Sequence, residues 1–230
     1  MSIDTFIAPP CDHEIEILYE DAHLLLINKP SGLLSLSGKN PLNKDSVYER
    51  ILQDYPHAKM IHRLDFGTSG IMVLALSKKV NAHLTKQFQF RTIVKNYTAI
   101  LYGHLADDEG IIDAPIARDE FPYQKICSDS GKSAQSHYQV LDRNFDQNTG
   151  LKTTQVLFTP KTGRTHQLRI HSQSIGHPII GCDLYNAVID GVDTQTLADR
   201  LCLHACNLTF EHPTTNEIIK IDCPPNFRLF

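Results

Sequence analysis

No run of apolar residues in this chain approaches the roughly 18 to 20 needed to cross a bilayer as a helix. The longest, such as Leu24 to Ile27 and Ile71 to Leu76, are far shorter. The opening stretch MSIDTFIAPPCDHEIEI has neither a basic flank nor an apolar segment of signal-peptide length, so the expected location is the cytoplasm. Close cysteine pairs are absent too: the six cysteines stand at 11, 127, 182, 202, 206 and 223, which excludes a disulfide scaffold and a C-x-x-C ligand pair and points to reduced thiols. Cys202, His204 and Cys206 alternate, and on a strand they would share one face. Such a trio could hold a metal, although scattered buried thiols are the commoner case. The many histidines offer no H-E-x-x-H or comparable ligand set.

A net charge of −4 speaks, as a single number, against a nucleic-acid partner. Acid is nevertheless missing from two long windows. Residues 77–106 carry Lys78, Lys79, Lys86, Arg91 and Lys95, and residues 147–182 carry Lys152, Lys161, Arg164 and Arg169, with no Asp or Glu in either. Basicity gathered in this way could form a phosphate-binding face; either window alone could equally be solvated surface.

Hydrophobic residues at 41% and charged residues at 21% are ordinary for a folded globular chain. EIEILYE and HLLLINKPSG predict a hairpin closing on a Pro-Gly turn. Residues 45–54 predict a helix capped by Asp45 or Ser46 and stopped before Pro56. GIMVLALS predicts a buried strand, residues 79–90 a helix with Val80, Leu84 and Phe88 inward, and NYTAILYGH a strand. SHYQVLD, TTQVLFTP, ACNLTFEHP and EIIKIDCP are further strands, and RTHQLRIHSQSIG is a helix ended by Gly176. The order fits an α+β class built on a mostly antiparallel mixed sheet with flanking helices. Repeats, low-complexity tracts and linkers are missing, so one compact unit is expected, with Asp107–Glu120 and Ala187–Asp199 as surface insertions.

Two segments could carry chemistry. HRLDFGTSG places Arg63 and Asp65 in a turn before a buried strand, beside glycines that allow close backbone approach. A carboxylate there can be a nucleophile, a base, a metal ligand or, most commonly, a turn cap. In KTGRTHQLRIH, His166, Arg169 and Gln173 fall at helical intervals and would give one cationic side, which could hold phosphates, serve a carboxylate, or simply be solvated.

Taken together these segments resemble the RluA-type family of RNA pseudouridine synthases. NKPSGLL (28–34) is similar to its first motif, HRLDFGTSG (62–70) to its catalytic motif, KNYTAILYG (95–103) to its tyrosine motif, and GRTHQLRIH with GHPIIGCDLY to its arginine motif. LCLHACNLTFEHP also matches, and the matches run in family order over roughly residues 15–225. The resemblance implies a pseudouridine synthase fold with a central active-site cleft, over 15–230 as a single catalytic domain, with 1–14 as an N-terminal extension and without an S4 domain. It implies Asp65 as the essential aspartate, Tyr97 as the active-site tyrosine and Arg169 as the partner of the aspartate. It also implies Arg63 as the residue that displaces the target base, Leu168 as an apolar wall, and Lys29 with Pro30 as pocket support. His62, Arg164, Lys86, Arg91 and Lys161 are expected on the substrate side. The closest likeness is to short dual-specificity members that act on 23S ribosomal RNA and the anticodon stem-loop of some tRNAs.

The chemistry asks for such residues. Isomerising uridine breaks the N1–C1′ bond, turns the uracil and rejoins it through C5. Nothing is oxidised or hydrolysed, so no metal, nucleotide or redox cofactor is called for. An ionised carboxylate can attack C1′ or take a proton from C2′, and a nearby guanidinium favours its charged form. A phenol can carry the loose base and assist loss of the C5 proton. The target must leave its stack, at a cost of a few kcal/mol, and Arg63 is the candidate to fill the gap. The alternative is an RNA-binding module or chaperone of the same fold without catalysis.

Overall fold

The computed structural model of the protein describes residues 6–230. Along the chain run β1 (Glu16–Glu20), β2 (Leu24–Lys29), α1 (Val47–Asp54), β3 (Lys59–Met60), β4 (Ser69–Ala75), α2 (Lys78–Phe90) and β5 (Val94–Tyr102). They are followed by β6 (Glu109–Asp113), β7 (Ile116–Arg118), β8 (Gln124–Ile126), β9 (Gln135–Phe145), β10 (Lys152–Pro160) and α3 (Gln167–Ser174). The small strands β11 (Val188–Ile189) and β12 (Val192–Asp193) precede β13 (Leu203–Glu211) and β14 (Ile218–Asp222). The class is α+β with antiparallel strand pairing, and the chain divides into two compact units: Met1–Val94 with Ala205–Pro224, and Lys95–His204 with Pro225–Phe230.

In the first unit the strands lie in the order β1–β2–β4–β13, with β14 on β13 and β3 on β4. Every residue of β4 is buried, which is why its sequence is apolar without alternation. Its partner β2 pairs from Leu24↔Ala75 to Lys29↔Gly70. Gly70 is required at that end: its φ is +114°, and a Cβ there would lie 2.3 Å from the Ala205 carbonyl oxygen. Leu24, Leu26, Ile71, Val73, Val80, Leu84, Leu208 and Phe210 make the core. Both helices start on serine. Ser46 Oγ accepts the Glu49 N–H at 3.2 Å and Ser77 Oγ that of Val80 at 3.3 Å, each worth about 1 kcal/mol. Asp45 instead pairs with Arg50.

The second unit stacks β5–β10–β9–β6 around Ala99, Leu101, Val156, Phe158, Leu168, Ile170 and Ile179. Here three expectations are corrected. Asp107–Glu120 is not a surface insertion: β6 pairs along its length with β9, and Ile112 and Ile116 reach the core while Glu109 and Asp113 face outward. Ala187–Asp199 is also partly internal, since Thr194 is fully buried and its Oγ1 accepts the Ala187 N–H at 3.0 Å. Finally, α3 begins at Gln167, not at Arg164, and His166 sits outside it at φ 56°.

Candidate active site

Asp65 stands on the loop between β3 and β4, half-buried, where the Thr68 N–H closes a turn on its backbone carbonyl at 3.1 Å. The NKPSGLLS segment holds this loop from beneath. Lys29 is fully buried, and its Nζ donates to the carbonyls of Pro30 at 2.8 Å and Phe66 at 3.2 Å. The Gly32 N–H also donates to the Phe66 carbonyl, at 3.0 Å. Ser31 Oγ donates to the Gly67 carbonyl at 2.7 Å. Ser35 Oγ donates to the Leu64 carbonyl at 2.6 Å and accepts the Leu64 N–H at 3.1 Å. Burying an ammonium is costly unless oxygens surround it, and here those oxygens belong to the backbone on either side of the aspartate's loop. The loop therefore has little freedom, which is what a reacting carboxylate needs.

Residues before β1 add to the clamp. Phe6 meets Phe66 edge-on, with centroids 5.5 Å apart. Asn43 fixes the segment that carries Phe6, accepting the Ala8 N–H at 2.8 Å and donating to the Phe6 carbonyl at 2.8 Å. Arg50 donates to the carbonyls of Cys11 and His13. On the other side, His62 Nε2 accepts the Val73 N–H at 3.1 Å, and its ring stacks on Phe88 of α2 at 4.8 Å. Held between them, Arg63 is exposed beside Asp65. Lys86 and Arg91 are exposed on and just after α2.

In the second unit Tyr97 on β5 lies opposite Phe158 of β10 and packs against the core. Arg169 is only 3% exposed, so it is not part of a solvated flank. Its guanidinium pairs with Asp183, donates from Nε to Cys182 Sγ at 3.3 Å and lies 5.3 Å from the ring centre of Tyr185. The Tyr185 hydroxyl accepts the Gln124 N–H at 2.9 Å and is hydrogen-bonded to His166 Nδ1 at 2.8 Å. This contact explains why His166 leaves the helix. Gln167 takes over the helix start: its Oε1 accepts from Thr162 Oγ1 at 2.7 Å and from the Arg164 N–H at 3.0 Å. Arg164 Nε donates to the Ser133 carbonyl at 3.0 Å, Lys161 is exposed, and Leu168 is a core residue at 6%.

Ser31, Ser35, Phe6, Asp183 and Tyr185 were not singled out by sequence reasoning. Four of them lie within or directly beside the motifs, which was the available signal; Phe6 had none. The Cys202 thiol is pushed up to about 12 by burial, and among the described residues no cluster of His, Cys, Asp or Glu is arranged to hold a metal.

Comparisons with known proteins agree with the motifs. A family model described as RNA pseudouridylate synthase matches residues 23–174. The dual-specificity RNA pseudouridine synthase RluA of Vibrio vulnificus (strain CMCP6) is 44% identical over 221 residues, covering 95% of this chain and 86% of that protein. The protein of the same description from Escherichia coli (strain K12) is 41% identical, covering 95% and 97%. Among solved structures, human RNA pseudouridylate synthase domain containing 1 superposes with a TM-score of 0.75 at 28% identity, covering 94% of this chain and 86% of that one. With the model spanning most of the chain and the relatives nearly all of it, the chain belongs to the RNA pseudouridylate synthase family, which isomerises uridine to pseudouridine in RNA.

Proposed function

We propose that Asp65 is the carboxylate that acts at the ribose, that Arg169 is the arginine that serves it, and that Tyr97 carries the detached uracil and assists loss of the C5 proton. One observation carries the proposal for Asp65. Its loop is pinned on Leu64, Phe66 and Gly67 by side chains and backbone of residues 29–35, while the aspartate itself is left half-exposed. A turn cap needs no such scaffold; a reacting group does. Arg63, exposed next to it, takes the place of the extruded base, and Lys86, Arg91, Lys161 and Arg164 hold phosphates.

We propose 23S ribosomal RNA and a tRNA anticodon stem-loop as its substrates; relatives named dual-specificity RNA pseudouridine synthases support a range of more than one RNA. We take residues 15–230 to work as one catalytic domain that reads loop shape and splayed bases. The cytoplasm is the compartment we assign, in keeping with cysteines that form no disulfide among the described residues.

Tritium release from RNA labelled at uracil C5 tests the reading. Wild-type protein releases tritium, and Asp65→Asn abolishes release while RNA affinity stays within about twofold, since the change is isosteric. Turnover retained in the variant refutes the role of Asp65. Binding without release by the wild-type protein means a non-catalytic RNA module.

A further inference from the structure

The solvent face of α2, of which only Lys86 has been assigned a part above, has an unusual composition. Lys78, Lys79, Ala82, Lys86, Gln89 and Phe90 are its exposed residues, and their spacing puts them on one side of the helix. Four facts set this face apart. It carries cations and no acid. It ends in Phe90, which is 76% exposed although nothing apolar elsewhere on this side requires it. The helix stops at Arg91 in the left-handed conformation, φ 59°, where glycine is the usual residue, so a cation occupies a position that backbone strain would assign to a residue without a side chain. Finally, the turn is anchored from both sides: Phe88 stacks on His62, next to Arg63, and Ile93 is buried in the first core.

We propose that this face and its C-terminal turn form an RNA-binding surface, on which Phe90 stacks against an unpaired base of the substrate while Lys79, Lys86 and Arg91 hold the flanking phosphates. The proposal deepens the reading of the substrate as a structured RNA with unpaired bases and rests on that reading for the identity of its ligand. Charge complementarity favours RNA as the occupant, since an acid-free stripe of lysines attracts a polyanion, and an exposed ring on a short stiff side chain offers stacking to any base. Ile218, 68% exposed on β14, is the contrasting case: it lies between Glu217 and Asp222 on a segment carrying acid, and no such surface is assigned to it.

The test is the equilibrium affinity of the full chain for a labelled RNA stem-loop with unpaired uridines, beside a fully paired RNA duplex. Phe90→Ala is expected to weaken stem-loop binding by about five- to tenfold, in keeping with stacking on a single ring, with kcat/KM falling in proportion. Phe90→Trp restores affinity, and Ile218→Ala does nothing. Lys86→Ala lowers the slope of log affinity against log salt by about 0.7 to 0.9. Affinity within twofold of wild type for Phe90→Ala overturns the proposal. So does an equal loss on the duplex, which has no unpaired base to stack. An Asp65→Asn variant measured alongside separates the two claims: if it still turns over, the catalytic reading fails while the binding result for Phe90 stands or falls on its own numbers.

Discussion

Lys29→Met is the substitution that most directly tests whether the loop that carries Asp65 depends on its scaffold. The lysine is fully buried, so it cannot touch RNA, and methionine keeps its length and most of its volume. The losses include one donor to the Pro30 carbonyl and one to the Phe66 carbonyl. The Phe66 oxygen keeps the Gly32 N–H, whereas the Pro30 oxygen loses a charged donor. Hydrogen bonds to charged groups contribute about 1.5–3 kcal/mol each, but methionine also avoids the several kcal/mol of desolvation that a buried ammonium carries. The balance is a destabilisation of roughly 1–3 kcal/mol, which a domain with about 5–15 kcal/mol in hand survives. The effect on turnover should be larger in proportion. Phe66 is the neighbour of Asp65, and a displacement of about 1 Å at a reacting group costs on the order of a hundredfold in rate. Single-turnover tritium release at saturating RNA should fall by about ten- to a hundredfold, with RNA affinity held within about twofold. A variant that loses thermal stability but keeps its rate would show that Lys29 serves the core and not the loop. A variant that loses affinity as well would refute the claim that the scaffold acts from beneath.

Two more outcomes follow from buried groups. Gly70→Ala forces a side chain into φ +114° and against the Ala205 backbone, so it should cost at least about 3 kcal/mol and lower the midpoint in a thermal melt well beyond any surface substitution; a change within 2 °C, roughly the effect of a neutral surface mutation, would contradict the geometry. His171 is fully buried, with Nε2 at 3.0 Å from the Ala114 carbonyl and Nδ1 at 2.9 Å from Ser136 Oγ, and burial holds its pKa below the usual 6.5. The unfolded chain then takes up this proton first, so the contribution is intact above about pH 6.5 and stability falls on acidification below it, by at most about 1.4 kcal/mol per pH unit. Urea unfolding of wild type and His171→Gln on either side of that pH checks this, and parallel pH profiles for the two proteins would sink it.

How much of this was legible beforehand depended on the range of the interaction. The hairpin of β1 and β2, the buried β4 and the serine-capped helices are written in neighbouring residues, and they fold as their patterns say. The turn that holds Asp65 was also legible, because glycines follow the aspartate directly before a buried strand. The grip on that turn was not: Ser35 and Leu64 are 29 residues apart, and nothing local announces that the two will meet. The same holds for His166, where helical spacing lost to a hydroxyl on Tyr185, 19 residues away. β6 was missed for a different reason. Its acidic residues suggested an exposed loop, but on a strand with one wet face alternate positions can be charged while Ile112 fills the core.

Charge is where sequence and structure differ most in what they count. The two acid-free windows look equivalent as strings, yet a cation contributes to phosphate binding only if it can reach a phosphate and displace its counterions. In the first window Lys78, Lys79, Lys86 and Arg91 are all exposed. In the second, Arg169 is sealed against Asp183 and Tyr185 and Arg164 is tied to the Ser133 carbonyl, which leaves Lys152 and Lys161 exposed. The windows therefore divide the work that their composition would have shared. On the reading proposed above, the first would supply most of the salt-dependent attraction for RNA, while the second spends its central arginine inside the protein, against Asp183 and Tyr185, where a buried guanidinium is held in a fixed position.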